Sequence, residues 1–335
     1  MAIRVMFMGL GPIGCAVVKQ VAGRKGFKIV AAVDVDPGKV GKDLGDVAGV
    51  GRKLRVKVTS DVKATIKAAK PDVVAHCTVS SIKAAVPQFE ALLASRVPVV
   101  SSTEELSYPW RANRAAAKKI DEMAKKAKVA VLGTGINPGF AMDALPITLS
   151  GICADVQKVE VDRIQDASIR RLPFQKKIGA TLTPAQFDEL VKTKAVRHVG
   201  LTESVSMIAD AMGFKVDRIT DIIQPKIATE RVQSQFLTVE PGQVCGIVQD
   251  GVGYRGKDAV ISLHMEAYLG APETFDEVRL TGSPNLRVRA HGGYHGDVAT
   301  ASIVVNSLPK VLEVKPGLHT MRSMPLPSFF RGTVA

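Results

Sequence analysis

The segment that decides the fold is Met8-Gly-Leu-Gly-Pro-Ile-Gly14, which ends an apolar run over 3–9 and opens a helical pattern over 12–23. The spacing G-x-G-x-x-G is common by itself, but its place between a strand and a helix makes it specific. The segment therefore predicts a turn that holds the pyrophosphate of a dinucleotide.

Each residue of this turn has a predicted role. Gly9 permits the tight turn, and Gly11 lets the backbone approach the pyrophosphate. Gly14 lets the helix pack closely against the strand. Pro12 and Ile13 begin the helix, whose N-terminus offers free N–H groups and a positive dipole end to the phosphates. The alternative is a purely structural glycine turn.

Over the first 135 residues, apolar runs rich in Val and Ile alternate with helical patterns. This alternation is typical of a parallel sheet covered by helices on both faces, and the right-handed crossover rule favours a doubly wound arrangement. We therefore predict an α/β fold that begins with a Rossmann domain over 1–135. The predicted strands are 3–9, 27–35, 54–59, 72–77, 97–102 and 129–134, and the predicted helices are 12–23, 61–69, 82–94 and 110–127.

From residue 136 onwards, strand patterns follow one another, with glycine-rich segments such as Asp250-Gly-Val-Gly253 as predicted turns. We therefore predict a second α+β domain over 136–296, with a mixed or antiparallel sheet, for substrate binding and dimerisation. A C-terminal segment over 297–335, with a helix from Asp297 to Leu308, is predicted to pack back on the first domain. The predicted strands of the second domain are 156–164, 216–229, 244–249, 258–268, 276–281 and 286–290, and its helices are 140–152, 184–193 and 202–212.

The composition excludes several classes of protein. Of the 335 residues, 46% are hydrophobic and 23% are charged, which is ordinary for two globular domains. The net charge of +13 comes from basic residues interleaved with acidic ones, and only 5% of residues are aromatic, so we expect no nucleic-acid partner. We also expect no membrane association, because no signal peptide is recognisable and no apolar stretch approaches about 18 residues.

The four cysteines lie far apart in the sequence and form no C-x-x-C pair. This spacing favours reduced thiols in a cytoplasmic protein over a disulfide framework or a metal site. We therefore expect a cytoplasmic location and no metal.

An acidic residue follows the second predicted strand at the spacing that a dinucleotide site needs. Asp34 lies 34 − 14 = 20 positions after the last glycine of the turn, where a carboxylate accepts hydrogen bonds from the adenosine ribose hydroxyls. Because this carboxylate repels a 2′-phosphate, we expect NAD(H) as the cofactor. Lys39 weakens that preference, so NADP(H) stays open as a second cofactor. The alternative for Asp34 is a solvated acid at a strand end.

Two other strand ends carry polar side chains at the carboxyl edge of the predicted sheet, where ligands of such sheets bind. His76, Cys77 and Thr78 follow one strand, and Ser101 ends another. We predict that these four residues contact the cofactor. A second interpretation applies to His76, since a histidine at a strand end is more often packed or hydrogen-bonded than catalytic.

Glu104 is the predicted catalytic residue. It follows Ser101-Ser-Thr103 at the edge of the fifth predicted strand, close to the expected position of a nicotinamide ring. A carboxylate there holds an ammonium group by a charge-assisted hydrogen bond and transfers protons, which suits amine chemistry. The alternative, for Glu104 and for its neighbour Glu105, is to cap the N-terminus of a helix.

Several longer motifs make the chain resemble a known family. They are MGLGPIG, HCTVSS, VVSSTEELSYPW, GTGINPGFAMDALP, DASIRR followed by KIG, HMEAYLGA, and HGDVATASIVVNSLP followed by PGLHTM. Through these motifs the chain resembles the dihydrodipicolinate reductase-like superfamily over nearly its whole length. Within it, the chain is most similar to 2,4-diaminopentanoate dehydrogenases and native amine dehydrogenases.

The resemblance implies an NAD(P)-dependent amine dehydrogenase. Such an enzyme deaminates a primary amine oxidatively and, in reverse, aminates a small ketone or aldehyde with ammonia. The resemblance also implies that Glu104 binds the amine and handles its proton, and that Asn137-Pro-Gly139 faces the nicotinamide, which adds Asn137 to the cofactor-binding residues. A homodimer is implied as well.

The chain departs from the reductases that give the superfamily its name. Those enzymes carry His-His-x-x-Lys-x-Asp-Ala-Pro-Ser-Gly, whereas the matching stretch here is Glu160-Val-Asp-Arg-Ile-Gln-Asp-Ala-Ser-Ile169, without the His pair and the Lys. We therefore expect no reduction of a lysine-pathway dicarboxylate. Arg163 remains as a candidate for the substrate cavity, with a structural ion pair as the alternative.

The predicted substrate pocket draws on both domains. Its mostly apolar and aromatic members suit a small amine, although each of them also fits a role in core packing. A substrate that carries a carboxylate needs a cation as well, for which Arg163, Arg170 and Arg171 are candidates. The predicted pocket residues are Phe140, Met142, Arg163, Phe174, His198 and His264.

Three other functions stay open. The first is a 2,4-diaminopentanoate dehydrogenase proper. The second is an NAD-linked carbonyl or semialdehyde reductase, which needs no ammonia. The third, outside the enzymes, is a regulator that senses NADH without turnover.

Overall fold

The computed structural model, which describes residues 2–332, is built on a seven-stranded sheet and a six-stranded sheet. The first unit consists of Met1–Phe140 and His295–Ala335, and the second unit is Ala141–Tyr294. The boundaries predicted from the sequence, after residues 135 and 296, fall close to those of the units. Met1 and residues 333–335, which the predicted domains include, lie outside the described residues.

The first unit contains the predicted Rossmann sheet. Numbered along the chain, its strands are β1 Ile3–Met8, β2 Phe27–Val33, β3 Val58–Thr59, β4 Val73–His76, β5 Val99–Ser101, β6 Ala130–Gly133 and β15 Gly317–His319. Their order is β15-β6-β5-β4-β1-β2-β3, and every neighbouring pair is parallel. All four residues of β4 are buried, as expected for a central strand with helices on both faces.

The helices of the first unit follow its strands along the chain. They are α1 Pro12–Ala22, α2 Leu44–Ala48, α3 Val62–Ala69, α4 Ile82–Ala94, α5 Arg114–Ala127 and α10 Gly296–Lys310, and a 3-10 helix spans Glu104–Leu106. Helix α10 packs on α1, where Gln20 Nε2 donates to Ser302 Oγ at 3.0 Å. Strand β15, which the sequence does not predict, then pairs with β6. Its three residues are too few for a recognisable apolar pattern.

The second unit is built on a mixed sheet. Its strands are β7 Asp155–Asp166, β8 Arg218–Ile227, β11 Val244–Arg255, β12 Asp258–Tyr268, β13 Phe275–Ser283 and β14 Leu286–His291, with a separate hairpin of β9 Val232–Gln233 and β10 Thr238–Val239. The order is β14-β13-β7-β12-β11-β8, in which only the β7–β12 pair is parallel. The helices are α6 Ala144–Ser150, α7 Leu172–Lys177, α8 Pro184–Lys192 and α9 Leu201–Met212. The mixed sheet confirms the predicted fold class.

The two faces of the six-stranded sheet differ in exposure. In β12, Leu263 and Met265 are buried, whereas His264 and Glu266 between them are half-buried, as the alternation of side chains along a strand requires. We call the face that α9 packs against the covered face, and the face that carries His264 the open face.

The predicted turn at Asp250-Gly-Val-Gly253 is wrong, because β11 runs through it to Arg255. A Cβ added at Gly251 would lie 2.8 Å from Leu201 Cβ of α9, and one added at Gly253 would lie 2.8 Å from Val205 Cγ1. These glycines therefore let a helix approach the strand rather than turn the chain.

Within residues 2–332, each helix is too short or too polar to cross a membrane.

Candidate active site

The glycine turn between β1 and α1 has two positions that exclude any larger residue. Gly9 has φ +87°, and a Cβ there would lie 2.5 Å from the Cys77 carbonyl oxygen. A Cβ at Gly14 would lie 1.9 Å from the Gly9 carbonyl oxygen. Both glycines therefore fix the path of the turn and its contact with the end of β4.

Gly11 differs from the other two glycines. It is the N-cap of α1, has an ordinary extended conformation, and within residues 2–332 a Cβ added there would meet no heavy atom within 4 Å. Pro12 occupies the first helical position, and the first turn of α1 carries no acidic residue. By helix geometry the N–H groups of Ile13 and Gly14 lack intrahelical acceptors. This open space beside free donors fits the pyrophosphate of a nucleotide.

Asp34 connects the end of β2 to the glycine turn. Its carboxylate accepts from Leu10 N at 2.6 Å and from Asp36 N at 2.9 Å, and Lys39 Nζ lies 3.4 Å away. Burial opposes ionisation, but the two N–H bonds and Lys39 hold the pKa of Asp34 below its ordinary value. The edge of the sheet therefore carries a fixed negative charge where a ribose is expected.

His76 is packed rather than exposed at this edge. Its side chain is 0% exposed, Nδ1 lies 2.9 Å from Ser101 Oγ, and Nε2 lies 2.7 Å from Gln88 Oε1. Burial lowers the pKa of His76 to about 4, so the ring is neutral at pH 7. The structure corrects the prediction of a cofactor contact by this side chain, because both ring nitrogens are used inside the protein.

The neighbours of His76 divide between the interior and the edge. Ser101 is fully buried, and its hydroxyl is also within 3.0 Å of Thr103 Oγ1, so its side chain is internal too. Burial raises the pKa of the Cys77 thiol to about 11, which makes it unreactive at neutral pH. Thr78 is half-buried and donates to Gln88 Oε1 at 2.7 Å. Cofactor contacts by Cys77 and Thr78 stay predictions.

Two adjacent carboxylates after β5 have different positions. Glu105 Oε2 accepts from Ile82 N, the first residue of α4, at 2.9 Å, and Glu105 N donates to Ser80 O at 3.2 Å. The helix-capping alternative therefore applies to Glu105. Glu104 is half-buried and begins the 3-10 helix at the carboxyl end of β5.

Asn137 follows β6 at the same edge. It is buried, its peptide bond to Pro138 is cis, and the Pro138 carbonyl accepts from Ser107 Oγ at 3.4 Å. A Cβ at Gly139 would lie 2.4 Å from Gly135 N. The segment around Asn137 is thereby held beside the 3-10 helix that begins with Glu104.

Arg163 in the second unit makes a structural ion pair, which was the alternative to a role in the substrate cavity. Only 2% of its side chain is exposed; Nη1 pairs with Asp276 Oδ1, and Nη2 donates to Tyr294 O at 2.9 Å. Asp276 Oδ2 also accepts from Tyr294 N at 2.7 Å. A pair with this many bonds inside the unit leaves Arg163 as part of the fold.

His198 lies over the covered face. Its backbone N and O both bond to the Gln249 side chain of β11, at 2.9 Å each. Burial lowers the pKa of His198 to about 3, and the positive charges of Lys177, Arg163, Arg170 and Arg197 add to this effect. The His198 ring is therefore neutral at pH 7.

His264 lies on the open face. The prediction of one pocket that contains both His198 and His264 is therefore wrong. Its Nδ1 lies 2.7 Å from Asp250 Oδ1 and its Nε2 lies 3.1 Å from Glu266 Oε1. Asp250 follows Gln249 in β11, and successive side chains of a strand point to opposite faces. Burial alone would lower the pKa of His264, but the two carboxylates raise it.

The remaining pocket candidates are mostly core residues. Phe174 packs on the hydrophobic cluster of the second unit, and its ring lies 4.2 Å from the Arg170 guanidinium. Met142 is fully buried in the second unit, and Phe140 is the half-buried last residue of the first part of unit one. Their contacts with a substrate stay predictions.

Comparison with known proteins identifies the family of the chain. The 2,4-diaminopentanoate dehydrogenase C-terminal domain matches residues 140–335, and the dihydrodipicolinate reductase N-terminus matches residues 3–134. A 2,4-diaminopentanoate dehydrogenase of Acetoanaerobium sticklandii is 31% identical over 338 residues, covering 98% of this chain and 95% of that protein. The chain belongs to the 2,4-diaminopentanoate dehydrogenase family.

Two further relatives extend this family to amine dehydrogenases. An amine dehydrogenase of Streptomyces virginiae is 21% identical, with 95% of each chain covered. The solved structure of an amine dehydrogenase from Mycobacterium smegmatis matches with a TM-score of 0.87 at 25% identity, covering 99% of this chain and 98% of that one. The predicted resemblance, the fold and the prediction of an oxidoreductase are thereby confirmed. Membership of this dehydrogenase family implies a nicotinamide cofactor.

Three glutamines that were not predicted from the sequence form hydrogen bonds to candidate site residues or to the loop beside them. Gln88 bonds His76 and Thr78, and Gln165 Oε1 accepts from Arg170 Nη1 at 3.0 Å. Gln175 is fully buried and donates to the carbonyls of residues 167, 168 and 170, which fixes the loop before Arg170. A signal existed for Gln88, which falls on the apolar stripe of α4 between Ala85 and Leu92.

Proposed function

We propose that the chain is an NAD-dependent amine dehydrogenase in which Glu104 binds the amine and transfers its proton. The observation that carries the proposal is the position of Glu104. It is half-buried at the carboxyl end of β5, on the sheet edge that carries the glycine turn. The names of the relatives support an amine as the substrate.

The glycine turn and Asp34 would hold the nicotinamide nucleotide. Gly11 leaves space for the pyrophosphate, and the N–H groups of Ile13 and Gly14 are directed to it. The ionised Asp34 favours ribose hydroxyls over a 2′-phosphate, and Lys39 at 3.4 Å offsets part of that charge. We therefore propose NAD(H) as the preferred cofactor and NADP(H) as a weaker one. When bound, the nicotinamide supplies or accepts the hydride.

Glu104 has two tasks in the aminating direction. Ammonia and a ketone or aldehyde take up one proton and condense to an iminium ion with loss of water, and hydride addition at its carbon gives the neutral amine. The Glu104 carboxylate stabilises the positive charge of the iminium ion and moves protons while water leaves. Asn137 and the buried end of β5 orient the reacting groups, which is the larger part of what a protein contributes to such chemistry.

The second unit supports a narrower substrate class, a primary amine that also carries a carboxylate, as 2,4-diaminopentanoate does. Arg170 is buried, stacked on Phe174 and bonded to Gln165 Oε1. Within residues 2–332, the buried Gln165 Nε2 and His198 Nδ1 have no hydrogen-bond partner. A substrate carboxylate bound in the second unit would accept from Arg170 and from Gln165 Nε2.

We also propose a homodimer formed through the open face of the second unit. On a chain of net charge +13, this face is balanced, with six basic and six acidic residues, so two copies can approach there without repulsion. Ile222 on the same face is 53% exposed and adds apolar area. The residues are Lys158, Arg218, Lys226, Arg279, Arg287 and Arg289, and Glu160, Asp162, Asp166, Asp250, Glu266 and Glu277.

Sedimentation velocity checks the dimer. The expected mass is twice the 35.7 kDa of one chain, and Ile222→Lys should shift it towards one chain. A wild-type protein that sediments as a single chain at micromolar concentration would contradict the proposal.

All four cysteines are thiols, which supports the cytoplasm as the proposed location.

The function is tested by following NADH oxidation with matched pairs of small ketones, with and without a carboxylate, in the presence and absence of ammonia. We expect oxidation that requires ammonia, is faster with NADH than with NADPH, and favours the carboxylated ketone. Oxidation without ammonia would indicate a carbonyl reductase instead. Tight NADH binding with no turnover on any substrate would indicate the regulator.

A further inference from the structure

A buried chain of hydrogen bonds runs beneath the edge of the first sheet. Thr78 Oγ1 and His76 Nε2 each lie 2.7 Å from Gln88 Oε1, and His76 Nδ1 lies 2.9 Å from Ser101 Oγ. Ser101 Oγ lies 3.0 Å from Thr103 Oγ1 and accepts from Thr103 N at 3.2 Å. We call these five side chains the relay.

The proton positions in the relay follow from its acceptors. A glutamine Oε1 only accepts, so the His76 nitrogen beside Gln88 carries the ring proton. His76 is neutral, which leaves Nδ1 as an acceptor, and the Ser101 hydroxyl donates to it. Ser101 Oγ also accepts from the Thr103 N–H and lies 3.0 Å from Thr103 Oγ1.

The relay ends at two places that matter for the reaction. Thr103 is the N-cap of the 3-10 helix in which Glu104 is the first residue. At the other end, a Cβ added at Gly9 would lie 2.7 Å from Thr78 Cγ2, so Thr78 packs on the glycine turn. The relay therefore connects the segment that carries Glu104 to the turn that would hold the cofactor.

The interior of the relay is closed to water. His76, Ser101 and Thr103 are each 0% exposed. A bond removed there is not replaced by solvent, and the remaining polar atoms shift to find other partners. Glu105 fixes the backbone on the other side of Glu104 through its bonds to Ser80 and Ile82, so a shift is transmitted to Glu104 itself.

We propose that His76 and Ser101 are positioning residues that set the place of the Glu104 carboxylate relative to the cofactor. The proposal rests on the function proposed for Glu104. Neither residue contacts substrate, because both are fully buried. Displacement of a reacting group by about 1 Å lowers a rate by as much as about 100-fold, so a relay of this kind acts on kcat rather than on cofactor binding.

The first test compares Ser101→Ala and His76→Leu with His76→Asn, whose amide oxygen replaces Nδ1 as the acceptor for Ser101. We expect Ser101→Ala and His76→Leu to lower kcat for amination by about 10- to 100-fold, with the Kd for NADH changed less than about twofold. His76→Asn should recover most of the lost rate. Ser95→Ala, at the start of the loop before β5, is the matched control and should keep the wild-type kcat.

The second test combines Ser101→Ala with Glu104→Gln and measures hydride transfer in single turnovers. Because Ser101 acts through Glu104, its substitution should have no further effect in the Glu104→Gln background. An equal fall in both backgrounds, or a normal kcat in Ser101→Ala, would overturn the relay. If His76→Leu does not fold, Ser101→Ala and His76→Asn still decide the matter.

The two proposals fail in different ways. A fully active Glu104→Gln would overturn the role of Glu104 and the relay's purpose with it. An impaired Glu104→Gln together with a normal Ser101→Ala would overturn the relay alone and leave the proposed function in place.

Discussion

In the first unit, carboxylates at the edge of the sheet bond to backbone N–H groups, whereas on the open face of the second unit charged side chains bond to one another. Asp34 accepts from Leu10 N and Glu105 accepts from Ile82 N. By contrast, His264 bonds Asp250 and Glu266, and Glu266 also pairs with Lys226 at 2.8 Å.

The difference teaches where substitutions should matter. A carboxylate bonded to the backbone holds the path of a loop, so its loss displaces neighbouring groups. A partly exposed pair that crosses two strands stabilises the sheet by less than about 1 kcal/mol, because water replaces either partner. Substitutions of these carboxylates in the first unit should therefore change rate and ligand binding, and substitutions of the charged pairs on the open face should change stability or dimerisation but not kcat.

The largest effect is expected at Glu104 in the first unit. Glu104→Gln removes the carboxylate charge and should lower kcat for amination by about 100- to 10,000-fold, with the Kd for NADH nearly unchanged. Glu105→Gln is the matched control, since its amide oxygen still accepts from Ile82 N. Equal losses in the two variants would break the assignment of different roles to these neighbours.

The second-largest effect is expected at Arg170, beside the covered face of the second unit. It would distinguish this face, which is proposed to bind a carboxylate, from the open face. Arg170→Gln should raise KM for a carboxylated ketone by about 10- to 100-fold, since a hydrogen bond to a charged group contributes about 1.5–3 kcal/mol. The matched ketone without a carboxylate should be affected little. Arg231→Gln, whose exposed side chain pairs with Glu240, is the control. The same change of KM for both ketones would contradict a carboxylate site.

The third effect separates two glycines of one turn. Gly11→Ala places a methyl group in open space, so the free energy of unfolding should hold while the Kd for NADH rises about tenfold, or about 1.4 kcal/mol. Gly14→Ala meets the Gly9 carbonyl and should destabilise the fold itself. Calorimetry and NADH titration check both. Unchanged NADH binding in Gly11→Ala would show that the cofactor does not approach there.

The smallest effect is expected on the open face. The pKa of His264 is raised in the folded state, so its contribution to stability is full below the unfolded value of 6.5 and is lost as the pH rises through the folded value. With 32% of the side chain exposed, that contribution is less than about 1 kcal/mol. His264→Gln should flatten this part of the dependence of unfolding free energy on pH. A change in kcat in His264→Gln would contradict the expectation that the open face takes no part in the reaction.

Short-range features of the site followed from the sequence. The glycine turn and Asp34 depend on spacing within one strand-turn-helix unit, where local geometry leaves few alternatives. Glu104 was predicted as the catalytic residue from its place after the fifth strand and from the family resemblance. The sequence did not show that Glu105 caps α4, because neighbouring carboxylates have the same chemistry and Ile82 N lies 23 residues away in the chain.

The positions of the histidines show the same limit. The sequence placed His198 and His264 in one pocket, but the strand pairing puts Gln249 beneath His198 and its neighbour Asp250 beside His264. Register between strands decides which face each side chain occupies, and a shift of one residue reverses it.

The sequence by itself determined the Rossmann sheet, the glycine turn and the family, because apolar periodicity and glycine spacing are local properties of the chain. Only the tertiary structure decided that Gly251 and Gly253 admit α9, that His76 is buried in a relay, and that Arg163 is paired with Asp276. These outcomes depend on contacts between segments distant in sequence, and the same residue types are compatible with several such contacts until the fold selects one.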